Sequence, residues 1–128
     1  MRLSCITDEI SQDLSHALAV MAEYGCRDAE LRNVYGAYIV EADDALLRRV
    51  EKDLADAGMA LACLDTPLFK CDLDDAARGA AGATHGAVER GLDEQMRLLQ
   101  HSVEVAWLAG AMAGGGRAGA GGGTGSAL

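Results

Sequence analysis

Met59-Ala60-Leu61-Ala62-Cys63-Leu64-Asp65-Thr66-Pro67 sets a near-continuous apolar run against a polar turn. An apolar run of this length bounded by turn residues is what a strand covered on both faces requires, and such strands belong to parallel sheets. Working backward from it, Asp43 or Asp44 caps a helix with Leu46, Leu47, Val50, Leu54 and Ala57 on one face, closed by Gly58. A loop from Tyr35 to Glu41 separates that helix from Ala29-Glu30-Leu31-Arg32-Asn33-Val34, which alternates small or apolar with polar residues and reads as a second strand. Further back, Ser11 is positioned to cap a helix in which Leu14, Ala17, Leu18, Met21 and Tyr24 recur at helical spacing, with Gly25 at its C-terminal end. The first strand is Leu3-Ser4-Cys5-Ile6-Thr7, ending in Thr7-Asp8-Glu9. Strand follows strand at intervals of about 26 to 31 residues, the size of a βαβ unit. The pattern therefore predicts an α/β chain with a parallel sheet and right-handed crossovers.

Beyond Pro67 the stretch from Lys70 to Gly86 reads as a long loop carrying the acidic run Asp72-Leu73-Asp74-Asp75. A last helix over 87–109 follows, with Leu92, Met96, Leu99, Val103 and Ala106 as its expected inward face. At Gly110 the composition changes to mostly Gly and Ala. Such a segment buries too little surface to offset its ordering entropy, so 110–128 is expected to be a disordered tail after a structured part over 1–109. Mainly Gly, Ala and Arg is also what GC-rich DNA read in a shifted frame encodes, which makes a lost continuation the expected origin of this segment.

The 128 residues carry 20 acidic against 11 basic side chains, a net charge of −9. Nucleic-acid binders neutralise phosphate with clustered Lys and Arg, and no basic stripe occurs, so no nucleic-acid partner is expected. No apolar stretch approaches the roughly 20 residues that span a bilayer, and the N-terminus turns acidic before a signal sequence can form. A cytoplasmic location without a membrane partner is expected. Cys5, Cys26, Cys63 and Cys71 contain no Cys-x-x-Cys pair, and His16, His85 and His101 do not complete a zinc-ligand spacing. Cys5 and Cys63 are read as small core hydrophobes, and Met21 and Met96 as core.

In parallel α/β architectures ligands bind where the loops after the strands converge. Three polar groups fall on that edge: Thr7-Asp8-Glu9, then Glu30 with Arg32 and Asn33, then Asp65-Thr66 with Lys70. Glu30 and Arg32 lie two apart on one strand and share a face. A carboxylate beside a guanidinium there suits a polyhydroxylated or phosphorylated ligand, and equally suits an internal salt bridge. Asp8 and Glu9 can hold a ligand or support a helix N-terminus through its dipole. His85 reads as an exposed loop residue rather than an acid or base.

The strings Cys5-Ile6-Thr7-Asp8-Glu9-Ile10-Ser11, Tyr24-Gly25-Cys26-Arg27-Asp28-Ala29-Glu30-Leu31-Arg32 and Cys63-Leu64-Asp65-Thr66-Pro67 resemble the N-terminal part of sugar phosphate isomerase/epimerase proteins, over about residues 1 to 105. The resemblance implies a xylose isomerase-like (β/α)₈ TIM barrel, here a partial one of about three βα units. It implies isomerisation or epimerisation of a sugar or sugar phosphate, with a divalent metal held by Glu, Asp and His ligands from later strands. By the same resemblance Glu30, Arg32 and Asp65 face the barrel mouth as substrate contacts. A full barrel takes about 250 residues, so this chain is expected to be a truncated, inactive member, with no catalytic residue, metal ligand or cofactor of its own. A three-strand piece exposes a sheet edge, which makes self-association through that edge an expectation. Two other readings remain: a non-catalytic half-barrel that binds itself or another chain, and a receiver-like signalling domain with Asp65 as phosphoacceptor.

Overall fold

In the computed structural model the described residues are 2–69 and 90–114, with side chains described as far as Leu108. Apart from two short 3₁₀ turns, eight strands and α-helices follow in chain order. They are β1 (Ser4–Ile6), α1 (Leu14–Glu23), β2 (Asp28–Leu31), β3 (Asn33–Val34), β4 (Ala37–Tyr38), α2 (Asp44–Ala57), β5 (Ala60–Leu64) and α3 (Leu92–Gly114). β1, β2 and β5 form a parallel sheet in the order β1-β2-β5, and β3 pairs antiparallel with β4. Among the described residues the result is a mixed α/β fold of a small parallel sheet with three α-helices, and the sheet does not close into a barrel.

The helices start and stop where short polar and glycine residues allow it. Asp43 accepts the amide of Leu46 at 2.8 Å, which settles the cap of α2. Gly58 ends α2 at φ 62°, a left-handed conformation in which any Cβ is strained. For α1 the cap is Asp13, which accepts from the His16 amide, and not Ser11 as expected. Ser11 instead accepts the Asp13 amide at 3.1 Å, two residues before the position that caps the helix.

The core lies between one face of the sheet and the helices. Leu14, Leu18 and Met21 of α1 and Val50 and Leu54 of α2 bury against Ala29 and Leu31 of β2. Register puts Cys5, Ala29 and Leu61 in one row, so this face is apolar. The opposite face is polar. Ser4 stands beside Asp28 and Glu30 there, with Arg2 paired to Asp28 and the Ser4 hydroxyl donating to Glu30.

Five further sequence expectations change. The second strand stops at Leu31, because the chain turns at Arg32 into the β3–β4 hairpin. β5 is not covered on both faces: Ala62 and Cys63 are exposed, and a bulge opposite Ala29/Glu30 shifts its register. Among the described residues β5 is an edge strand of the sheet, and Cys63 lies outside the core. Tyr24 at the end of α1 is exposed. On α3 the buried residues are Gln95, Ser102 and Val105, while Leu92, Met96 and Val103 of the expected inward face are exposed. Gln95 accepts the Phe69 amide at 3.2 Å and Ser102 donates to the Leu98 carbonyl at 2.6 Å, so both buried polar residues are satisfied. Packing against α2 and β5 with those partners available turns the apolar stripe outward. α3 also runs past the composition break at Gly110 to Gly114. The expected loop at 70–86, with Lys70, Cys71 and His85, lies outside the described residues, as does 115–128.

The hairpin is pinned at Tyr35, whose φ of 53° is costly for an aromatic residue and which with Gly36 makes the two-residue turn. The Tyr35 amide donates to the Gln12 carbonyl at 2.7 Å. Its hydroxyl donates to Asp53 at 2.6 Å and accepts from the Ser15 amide, and Arg49 stacks on the ring at 3.4 Å. Tyr35 thereby ties the hairpin to both α1 and α2.

Two outcomes follow for stability. Leu31→Ala is expected to cost about 3 kcal/mol and Asp43→Ala about 1 kcal/mol in urea unfolding, and equal costs would contradict the core described. Burial first, and Asp53 second, raise the Tyr35 hydroxyl above its ordinary 10.0. The folded state then holds a proton that the unfolded state has lost, so this contribution is complete below pH 10.0 and disappears as the pH rises through the folded value. The alkaline fall in stability should be shallower in Tyr35→Phe, and identical slopes from pH 9 to 11 would refute the assignment.

Candidate functional site

Parallel strands point their C-terminal ends the same way, so the residues that follow β1, β2 and β5 meet on one edge. After β1 the chain makes a short 3₁₀ turn, Thr7–Glu9, with Thr7 fully buried and donating through its hydroxyl to the Glu30 carbonyl at 3.3 Å. That bond ties the start of the turn to β2 and fixes where Asp8 and Glu9 emerge. After β2, Arg32 is held by its own backbone: its carbonyl accepts the Ile39 amide at 2.9 Å. After β5 the Asp65 amide donates to the Leu31 carbonyl at 2.9 Å, extending the ladder one residue past the strand.

One guanidinium joins the three. Arg32 Nε lies 3.0 Å from Asp8 Oδ2, Nη2 lies 2.6 Å from Glu9 Oε1, and Nη1 lies 3.7 Å from Asp65 Oδ2. Asn33 adds a hydrogen bond from Nδ2 to Asp8 Oδ2 at 3.0 Å. Asp8 is almost wholly buried, with 2% of its side chain exposed, whereas Arg32 retains 20%, Asp65 38% and Glu9 62%. The cluster thus grades from a buried carboxylate to exposed ones across a single cation. The hydrogen bond to Glu9, followed by that to Asp8, raises the Arg32 guanidinium further above its already high value, so it stays charged under all ordinary conditions. Asp8 Oδ1 is buried and has no hydrogen-bond partner among the described residues.

The residues singled out in the sequence are brought together unequally. Arg32 and Asp65 share the cluster, and Asp8 and Glu9 serve it rather than capping α1. Glu30 does not share a strand face with Arg32, because the chain has left β2 by then. It takes the Ser4 hydroxyl instead and sits on the polar face of the sheet, in register with Ile6 and Cys63. Asn33 is the participant whose role the sequence reading left open, and its only signal was its place beside Arg32.

Chemically the edge offers carboxylate oxygens that accept from hydroxyl groups and a guanidinium that donates to hydroxyl, carboxylate or phosphate oxygens. Among the described residues no three His, Cys, Asp or Glu side chains are grouped to hold a metal ion, and three of the carboxylates on this edge are already drawn onto Arg32. These residues do not fit a divalent-metal site. Among the described residues no helix is long and apolar enough to cross a membrane.

No family model, curated protein or solved structure was found to match the chain.

Removing the cation would leave Asp8 buried without its counter-charge. Arg32→Gln should therefore destabilise the fold by about 2 kcal/mol in urea unfolding at pH 7, and a change within experimental error would show that Asp8 is not held by this pair.

Proposed function

We propose that the chain forms the opening βα units of a xylose isomerase-like barrel of the sugar phosphate isomerase/epimerase kind, and that the edge around Arg32 is its share of the substrate mouth. The observation that carries the reading is the convergence of residues following all three parallel strands, Asp8, Arg32 and Asp65, on one charged cluster at their C-terminal ends. Arg32, already anchored by Asp8, turns its remaining donors toward a phosphate or sugar hydroxyl, while Asp65 and Glu30 accept from hydroxyls. Because Asp8, itself held by Asn33, and Glu9 fix the guanidinium in advance, ligand binding does not have to order a free arginine side chain.

On this reading the described residues bind and orient the substrate and do not complete a reaction centre. Any divalent metal is ligated by side chains other than those described, and the chain alone turns over no sugar. Exposure of Ala62 and Cys63 on β5 supports the partial barrel, since this is the edge on which further strands of a barrel would add. The same exposure also favours a second reading, a non-catalytic half-barrel whose open side is covered by another chain.

The test is a titration of the 128-residue chain with fructose 6-phosphate, xylose and inorganic phosphate, followed by amide and arginine Nε–H NMR shifts. Shifts confined to residues around Asp8, Arg32 and Asp65, larger for the sugar phosphate than for either part and lost in Asp65→Asn, are expected. Absence of saturable shifts, or shifts at the opposite end of the strands, would refute the reading.

A further inference from the structure

We propose that Glu9 is an internal competitor for the anionic group of a ligand at Arg32, so that its carboxylate sets how well the edge takes a phosphorylated sugar relative to an uncharged one. The inference rests on the substrate reading above and assigns the residue that tunes it. Each nitrogen of the Arg32 guanidinium faces a carboxylate, but the three are not equivalent. Asp8, at Nε, is buried and is held a second time by Asn33. Asp65 stands 3.7 Å from Nη1, an ion pair too long for a hydrogen bond. Glu9 Oε1 makes the shortest contact, 2.6 Å to Nη2, from a side chain that is 62% exposed.

The backbone keeps Glu9 in place while leaving its side chain able to turn. The turn Thr7–Glu9 is closed by the amides of Ile10 and Ser11 on the Thr7 carbonyl, at 3.0 and 3.1 Å, and the Thr7 hydroxyl ties it to Glu30. Freeing Nη2 therefore takes rotation of one side chain into solvent, whereas freeing Nε would leave a buried carboxylate without its counter-charge. An exposed ion pair contributes little, because water and counter-ions compensate both charges when it opens. A phosphate group brings its own negative charge and several acceptor oxygens, so one of them replaces the Glu9 oxygen at Nη2 while the guanidinium stays on Asp8. A sugar hydroxyl has no charge to exchange for that of a carboxylate and leaves Glu9 where it is. Glu9 thus lowers the affinity of anionic ligands selectively, by occupying the donor that they need.

The experiment measures Kd for fructose 6-phosphate and for xylose, from amide and arginine Nε–H NMR shifts, in the 128-residue chain and its Glu9→Gln and Glu9→Asp variants. Glu9→Gln removes the charge. Glu9→Asp keeps the charge but, one methylene shorter, no longer reaches Nη2. Both variants are expected to bind fructose 6-phosphate about two- to fivefold more tightly, which is what an exposed ion pair is worth, while xylose affinity changes by less than about twofold. A gain in Glu9→Gln alone would overturn the inference, since it reduces Glu9 to a repulsive charge at a distance. Unchanged or weaker binding of fructose 6-phosphate in both variants, or an equal gain for xylose, would also overturn it, and with the shifts still around Arg32 would leave the substrate reading standing. Absence of saturable shifts in all three chains would overturn the substrate reading and this inference together.

Discussion

β2 is the strand on which the described structure depends. It is the middle strand of the parallel sheet, with β1 on one side and β5 on the other, and its apolar side chains Ala29 and Leu31 are completely buried. Because side chains alternate along a strand, Asp28 and Glu30 must then point to the other face, where Arg2 and Ser4 meet them. A single short segment therefore divides the molecule into an apolar side, built by α1 and α2, and a polar side. Hydrophobic burial stabilises the first, while charge-assisted hydrogen bonds satisfy the second.

The same strand ends in Arg32, and the ending matters as much as the middle. A guanidinium partly out of water is tolerated when carboxylates surround it, and Asp8, Glu9 and Asp65 do so from the two neighbouring strands. The backbone holds each partner: Thr7 is bonded to the Glu30 carbonyl, and the Asp65 amide to that of Leu31. The edge is consequently organised before any ligand arrives. Among the described residues Asp8 Oδ1 is the buried side-chain oxygen of the cluster that has no hydrogen-bond partner.

Much of this was legible in the residues. Apolar spacing located α1 and α2, the choice between Asp43 and Asp44 was already narrow, and Gly25 and Gly58 both adopt the left-handed conformation expected after a helix. The three polar strand ends were also visible, since they require only that parallel strands share a direction. Their pairing was not. Alternation from Ala29 to Val34 continues through Arg32 without a mark, yet the chain turns there because three carboxylates and the Tyr35–Gly36 turn claim it. On α3, hydrophobicity alone selected Leu92, Met96 and Val103 for the interior. Neighbouring groups decided otherwise, since a free amide at Phe69 gives Gln95 a buried partner. The exposure of Cys63 likewise depends on which strand lies at the sheet edge, a property of the assembly rather than of the residue.

The central claim is that Asp8 and Arg32 are directly coupled across the C-terminal ends of β1 and β2. A double-mutant cycle, comparing Asp8→Asn, Arg32→Gln and the double variant with the unaltered chain in urea unfolding, measures that coupling directly. The single effects are expected to be strongly non-additive, with an interaction of about 1 kcal/mol or more. Additive effects would mean that the two side chains are not partners, and the organised edge described here would not exist.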